Sequence, residues 1–255
     1  QPSIFIRKRP VKLRKIQIFA GSNKELAIHI FFVENQENCI TSDKLNVIFP
    51  GLPQTPTFTQ LEGLVNDHRA VAYVHYYGSW YSGGEFNPLT VEASIKDAVL
   101  ALEQGIVKDV YSEQEIKISV NKISLVGNSL GGYFVYKFKT NHNKILLSPL
   151  LPTLNNTSNE VLEKINQSIL SYQKSLLYCY RGITDSSWNE FTEKIVNEDS
   201  EKDENMSIYI GTKDKLITKE YVLSSLSSIS NLKEIDCGHD FLSLYNAYIT
   251  DTEGK

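Results

Sequence analysis

Short apolar runs alternate along the chain with longer stretches whose apolar residues recur every three or four positions. Val11 to Ala20 and Leu26 to Glu34 are β-rich runs on either side of Gly21, Ser22 and Asn23, a pattern that predicts a hairpin. Leu45 to Phe49, ending in Pro50-Gly51, and Ala70 to Tyr77 read as buried strands, with a short amphipathic pattern over Thr59 to Asp67 between them. The clearest helix spans Thr90 to Val110, where Val91, Ile95, Ala98, Val99, Leu102 and Ile106 share one face. Further buried runs cover Lys122 to Val126, Ile145 to Leu150, Ser207 to Ile210 and Leu232 to Cys237, and Phe241 to Tyr248 reads as a closing helix. Strands and helices in this alternation predict an α/β fold with a mostly parallel sheet.

One block breaks the alternation. Residues 151–205 hold no convincing strand. Thr157 and Glu160 form a capping box, followed by Leu162, Ile165, Ile169, Tyr172 and Leu176 on one helical face. The acidic stretch Glu198 to Glu204 then returns the chain to the sheet. The block exceeds an ordinary loop and reads as a helical cap inserted into one domain spanning residues 1–255.

The candidate chemistry sits just after three of the buried runs. Gly127-Asn128-Ser129-Leu130-Gly131 follows the run ending at Val126 and matches G-x-S-x-G, in which a sharp strand-to-helix turn lifts a serine hydroxyl above the sheet edge. The flanking positions must be small because the backbone crowds there. A helix over Gly132 to Phe138 completes that context. A serine hydroxyl needs a base, and His239 in Cys237-Gly238-His239-Asp240 follows the last strand, at the edge where loops gather ligands. His29 and His75 fall inside strands, while His68 and His142 fall in polar surface positions, so packing or solvation accounts for them. Asp214, in Gly211-Thr212-Lys213-Asp214, follows the second-last strand and can orient the imidazole. Asp236 and Asp240 lie too near His239 in sequence to reach its ring well.

The elbow GNSLGG, the acid in GTKD, the histidine in CGHDF and the order serine, acid, histidine resemble the α/β-hydrolase superfamily over the whole chain except the cap. The resemblance implies an eight-stranded, mostly parallel sheet and acyl transfer through a covalent serine intermediate. Tyr77 to Phe86 is loosely similar to the loop after the fourth strand in prolyl-oligopeptidase-type enzymes and related esterases. An oxyanion hole needs two backbone N–H groups. Leu130 supplies one, and the family pattern places the other after the third strand, where Pro50 stands in place of the usual histidine and Leu52 is the candidate. Tyr76, Tyr77, Trp80 and Tyr81 either line an acyl or aryl pocket or fill core and cap. The expected activity is hydrolysis of a carboxylic ester or thioester on a small-molecule acyl substrate. A small peptidase or amidase, an acyltransferase and a catalytically silent scaffold are the alternatives.

Composition narrows the partners. Lys plus Arg is 26 against 30 Asp plus Glu, a net charge of −4, so no global basic field attracts nucleic acid. The cluster Arg7, Lys8, Arg9, Lys12, Arg14 and Lys15 reads as a solvated edge strand and its lead-in. Three cysteines, Cys39, Cys179 and Cys237, fit no zinc spacing and suggest a reduced, cytoplasmic setting, with one disulfide plus a free thiol as the alternative. No apolar run reaches the roughly 18–20 residues of a membrane span. No metal cluster or phosphate-cradling loop appears, so no cofactor is expected. The opening Gln1, in place of Met, reads as a trimmed end.

Overall fold

A computed structural model of the chain describes residues 12–52, 54, 57–152, 179–196, 205–226 and 231–253, with positions 163, 164, 167 and 171. The hairpin forms as expected. Strand β1 (Leu13–Ala20) pairs antiparallel with β2 (Leu26–Val33), from Leu13 opposite Val33 to Ala20 opposite Leu26. The turn is possible because Gly21 takes a φ of 82°. Strand β3 (Cys39–Phe49) is longer than its apolar half predicts, and β4 (Arg69–Val74) is buried along its whole length. A single helical turn, α1 (Phe58–Glu62), connects them.

Helix α2 (Pro88–Glu103) starts on a capping box in which Asn87 and Thr90 exchange side-chain-to-backbone bonds, with Pro88 inside the first turn. Its buried face carries Val91, Ile95, Ala98, Val99 and Leu102, as the periodicity predicts. The helix stops short of the expected Val110. Gly105 turns left-handed at φ 74° and ends it, and the chain continues as β5 (Ile106–Lys108). Ile106, expected on the helical face, is 56 % exposed on that short strand. Strand β5 pairs antiparallel with the first part of β6 (Glu115–Asn128).

The remaining strands are β7 (Asn143–Leu147), β8 (Met206–Gly211) and β9 (Leu232–Ile235). The sheet order is β1-β2-β4-β3-β6-β7-β8-β9, and β5 on β6 makes nine strands in place of eight. From β4 across to β9 the strands run parallel, so their C-terminal ends share one edge. Helices cover both faces, as a parallel sheet requires. Val47, Phe49, Leu125 and Ile208 face α2, α3 (Leu130–Lys137), α4 (Asp185–Val196) and α5 (Lys219–Ser225). Their neighbours Ile48, Val126 and Tyr209 face α1 and α6 (Phe241–Glu253). The alternation along each strand therefore feeds two cores.

The capping box Thr157–Glu160, the helical face of Leu162, Ile165, Ile169, Tyr172 and Leu176, and the acidic stretch Glu198 to Glu204 lie outside the described residues. The described part of the block contributes α4 and the segment 179–182, which is stitched to the loop after β4. Trp80 N–H donates to the Cys179 carbonyl at 2.8 Å and Arg181 N–H to the Gly78 carbonyl at 2.7 Å.

Candidate active site

Strand β6 and helix α3 meet at Ser129, whose φ of 50° and ψ of −114° make a strained elbow. Conformations of this kind cost on the order of 1–3 kcal/mol for a residue with a side chain and persist where the surroundings impose them. The surroundings here are specific. Ser129 N–H donates to the Leu147 carbonyl at 3.0 Å, and the Ser129 carbonyl accepts from Gly132 and Leu150 at 3.0 and 2.9 Å. A Cβ at Gly127 would stand 2.7 Å from the Gly131 carbonyl oxygen, and one at Gly131 would stand 2.2 Å from that of Phe49. The two glycines of the motif are thus demanded by close backbone approach.

Asp214 and His239 come together. His239 Nδ1 lies 2.6 Å from Asp214 Oδ2, while Asp214 Oδ1 accepts from the N–H groups of Leu216 and Ile217 at 2.8 and 2.9 Å. The Asp214 side chain is fully buried and that of His239 is 32 % exposed. Burial acts against the Asp214 charge, yet the bond from His239, the bonds from Ile217 and Leu216 and the histidine charge hold its carboxyl below the usual range. An ionised Asp214 accepts from Nδ1–H, which in a neutral imidazole leaves Nε2 as the bare acceptor. The two loops are also joined by backbone, since Thr212 N–H donates to Ile235 and Lys213 N–H to Cys237 at 2.8 and 2.9 Å.

The neighbouring acids are engaged elsewhere. Asp236 pairs with Lys213 at 2.8 Å on the surface, and Asp240 accepts from Ser243 N–H at 2.8 Å at the start of α6. Among the described residues no hydrogen bond links Ser129 Oγ to His239. The other four histidines are accounted for locally: His29 with His75, His68 with Asp43, and His142 with Glu103.

Leu130 opens α3, so its N–H belongs to the first turn that finds no acceptor within the helix. Gly51 lies against the elbow, because a Cβ on it would be 2.9 Å from Ser129 Cβ. Its own N–H is taken by Gln54 Oε1 at 3.1 Å. The next residue, Leu52, is half-buried. Gln54 was not apparent from sequence. Its Pro- and Thr-rich sequence neighbourhood carries no periodic signal, and two of its partners, Asn128 and Tyr180, lie far away along the chain.

The aromatics after β4 divide. Tyr76 is buried and donates to the Pro50 carbonyl at 2.8 Å, and Tyr77 donates to Asp97 at 2.7 Å beside Gly21. Both contacts favour packing over pocket lining. Trp80 is half-buried, with its ring edge-on to Tyr180. Tyr81 joins His29, His75 and Phe58 in an aromatic cluster. Among the described residues no group of three or more His, Cys, Asp or Glu is placed to hold a metal ion, and no helix is long and apolar enough to cross a membrane.

No family model and no curated protein sequence matches the chain. Solved structures match it over nearly its full length. One, a hypothetical protein from Pseudomonas aeruginosa, has a TM-score of 0.58 at 11 % identity, covering 97 % of this chain and 94 % of that one. An esterase from Exiguobacterium antarcticum gives 0.55 at 15 % identity over 94 % and 97 % of the two chains. A Xanthomonas campestris protein, described as a member of the α/β serine hydrolases without lid, gives 0.54 at 10 % identity over 96 % and 94 %. With the strand order and both helical layers described above, these likenesses lead to one conclusion: the chain has the fold of the α/β-hydrolase superfamily.

Proposed function

We propose that the protein is a serine hydrolase that cleaves a carboxylic ester or thioester through an acyl-Ser129 intermediate. The observation that carries this reading is the 2.6 Å Asp214–His239 pair, on the sheet edge that also holds the strained Ser129 elbow. In the first step Ser129 Oγ bonds to the acyl carbon and its proton passes to His239 Nε2. Asp214 stabilises the imidazolium that forms. The N–H groups of Leu130 and Leu52 receive the oxyanion. Collapse breaks the ester or thioester bond, and the leaving alkoxide or thiolate takes the proton from Nε2. Water then attacks the acyl-enzyme with His239 again as base, releasing the carboxylic acid and restoring Ser129. Residues 151–205 act as a cap on one domain and select the acyl group.

Hydrolysis of p-nitrophenyl esters, acyl thioesters and p-nitroanilides of matched acyl length tests this. Esters or thioesters are expected to turn over and anilides to lag. Asp214→Asn is expected to lower kcat by about 10⁴-fold, as in serine proteases that lose the same group. Asp236→Asn is expected to leave kcat unchanged. The opposite pattern for the two acids, or turnover of anilides alone, overturns the reading.

A further inference from the structure

Resting on that reading, we propose that Gln54 is a positioning residue that fixes the oxyanion loop against the nucleophile elbow through one amide oxygen. The β3–β6 ladder ends at Phe49 opposite Gly127. Beyond it the chain must carry Leu52 alongside Ser129, yet no backbone–backbone hydrogen bond joins residues 50–52 or 54 to the elbow among the described residues. Gln54 Oε1 bridges that gap. It accepts from Gly51 N–H at 3.1 Å and from Asn128 Nδ2 at 3.2 Å, using both lone pairs of the oxygen. One acceptor thus holds the residue before the candidate donor Leu52 and the residue before the nucleophile.

The surroundings make this link consequential. Pro50 is tied down by Tyr76, whose hydroxyl donates to its carbonyl at 2.8 Å, so the loop is held firmly at its base. A Cβ on Gly51 would stand 2.9 Å from Ser129 Cβ and 3.1 Å from Asn128 Nδ2, leaving no room for a side chain there. On the far side, Gln54 N–H and Trp80 Nε1 both donate to the Tyr180 hydroxyl at 3.4 Å. The same glutamine therefore joins the elbow, the oxyanion loop and the segment 179–182 of the cap block. Because Gly51 N–H is spent on Gln54, it is removed from the set of oxyanion donors, and Leu130 and Leu52 remain. A donor that drifts from the 2.7–3.1 Å needed at the oxyanion loses most of its effect on the transition state and little on the bound ester.

The test uses the full-length protein. Gln54→Met keeps the length and removes the acceptor, and Asn128→Ala breaks one of the two bonds to the same oxygen. Four quantities are read: kcat and KM for p-nitrophenyl acetate, the rate of fluorophosphonate labelling at Ser129, and the melting midpoint. Gln54→Met is expected to lower kcat about 10- to 100-fold, less than the loss of a whole oxyanion donor, with KM within about twofold. Labelling should slow by the same factor. Asn128→Ala should lower kcat about 3- to 10-fold, and the double variant should lose no more than Gln54→Met alone. A purely structural role would lower the melting midpoint and the fraction of chains that label to completion, while kcat per labelled site and the labelling rate constant of the folded fraction stay at their wild-type values. Wild-type kcat and labelling in folded Gln54→Met overturn the proposal, and so does unchanged kcat in Asn128→Ala should the first variant fail to fold. Either result leaves the hydrolase reading intact if wild-type Ser129 is labelled. Wild type that resists the probe overturns both.

Discussion

Adding one methyl group at Gly131 tests how closely the Ser129 elbow and the loop after β3 are packed. A Cβ there would stand 2.2 Å from the Phe49 carbonyl oxygen, 2.6 Å from that of Pro50 and 2.7 Å from the Tyr76 hydroxyl. Ordinary carbon–oxygen contacts are near 3.3 Å, so the two backbones must part by about 1 Å, since neither carbonyl can swing aside as a side chain can. Phe49 ends β3 and Pro50 is held by Tyr76, while Gly131 lies in the first turn of α3. Whichever element yields, Leu130 and Leu52 move apart by a comparable distance. A displacement of that size costs about 10²-fold in rate where geometry governs the reaction. Overpacking adds roughly 1–3 kcal/mol of destabilisation, which lowers the melting midpoint by several degrees for a chain of this length. Initial rates on p-nitrophenyl acetate and thermal melting followed by circular dichroism measure both. Gly238→Ala is the contrast, because a Cβ there meets nothing within 4 Å. Gly131→Ala with wild-type kcat and melting midpoint refutes the reasoning.

Acid should destabilise the fold through the buried pair His29 and His75. Burial and then the Lys15 charge lower the His29 pKa to about 4, and burial and then His29 lower that of His75 well below its ordinary value. Both are neutral in the fold, while the unfolded chain takes up protons below about pH 6.5. Stability therefore falls as pH drops from 6.5 towards 4, by up to about 1.4 kcal/mol per pH unit for each histidine. Urea unfolding between pH 7 and pH 5 measures this, and a flat profile contradicts it. Arg69, buried at the start of β4, donates to the Leu64 carbonyl at 2.6 Å and pairs with Glu253 at the end of α6. Arg69→Leu should cost about 2 kcal/mol by leaving a carbonyl and a half-exposed carboxylate unpaired, and an unchanged urea midpoint contradicts that.

The sheet was legible wherever a strand is apolar on both faces. Leu45 to Phe49, Ala70 to Val74 and Ile208 to Ile210 feed both cores, and an apolar run, broken in the first only by the buried Asn46, is their direct signature. The first part of β6 was missed because only Ile116 and Ile118 are buried there, between exposed lysine and glutamate. The helix over-run at Gly105 has the same root: Ile106 keeps the helical period by coincidence, and a glycine's left-handed turn outweighs one apolar match. Asp214 and His239 were legible because each follows its strand within four residues, so the parallel topology brings them together. Gln54 was not, since its role depends on Asn128 and Tyr180, 74 and 126 residues away. Tyr76 and Tyr77 were ambiguous for a similar reason. Whether an aromatic faces a pocket or a carbonyl is decided by loops distant in sequence.

The most direct test of the account is covalent labelling with a fluorophosphonate, read by intact mass and peptide mapping. The probe mimics the tetrahedral charge and reacts with a serine only where a base accepts its proton and donors receive its oxyanion. The account predicts one label per chain at Ser129, none in Ser129→Ala, and labelling slowed by several orders of magnitude in His239→Ala. A folded wild-type protein that stays unlabelled at neutral pH, or that carries the label on another serine, contradicts it.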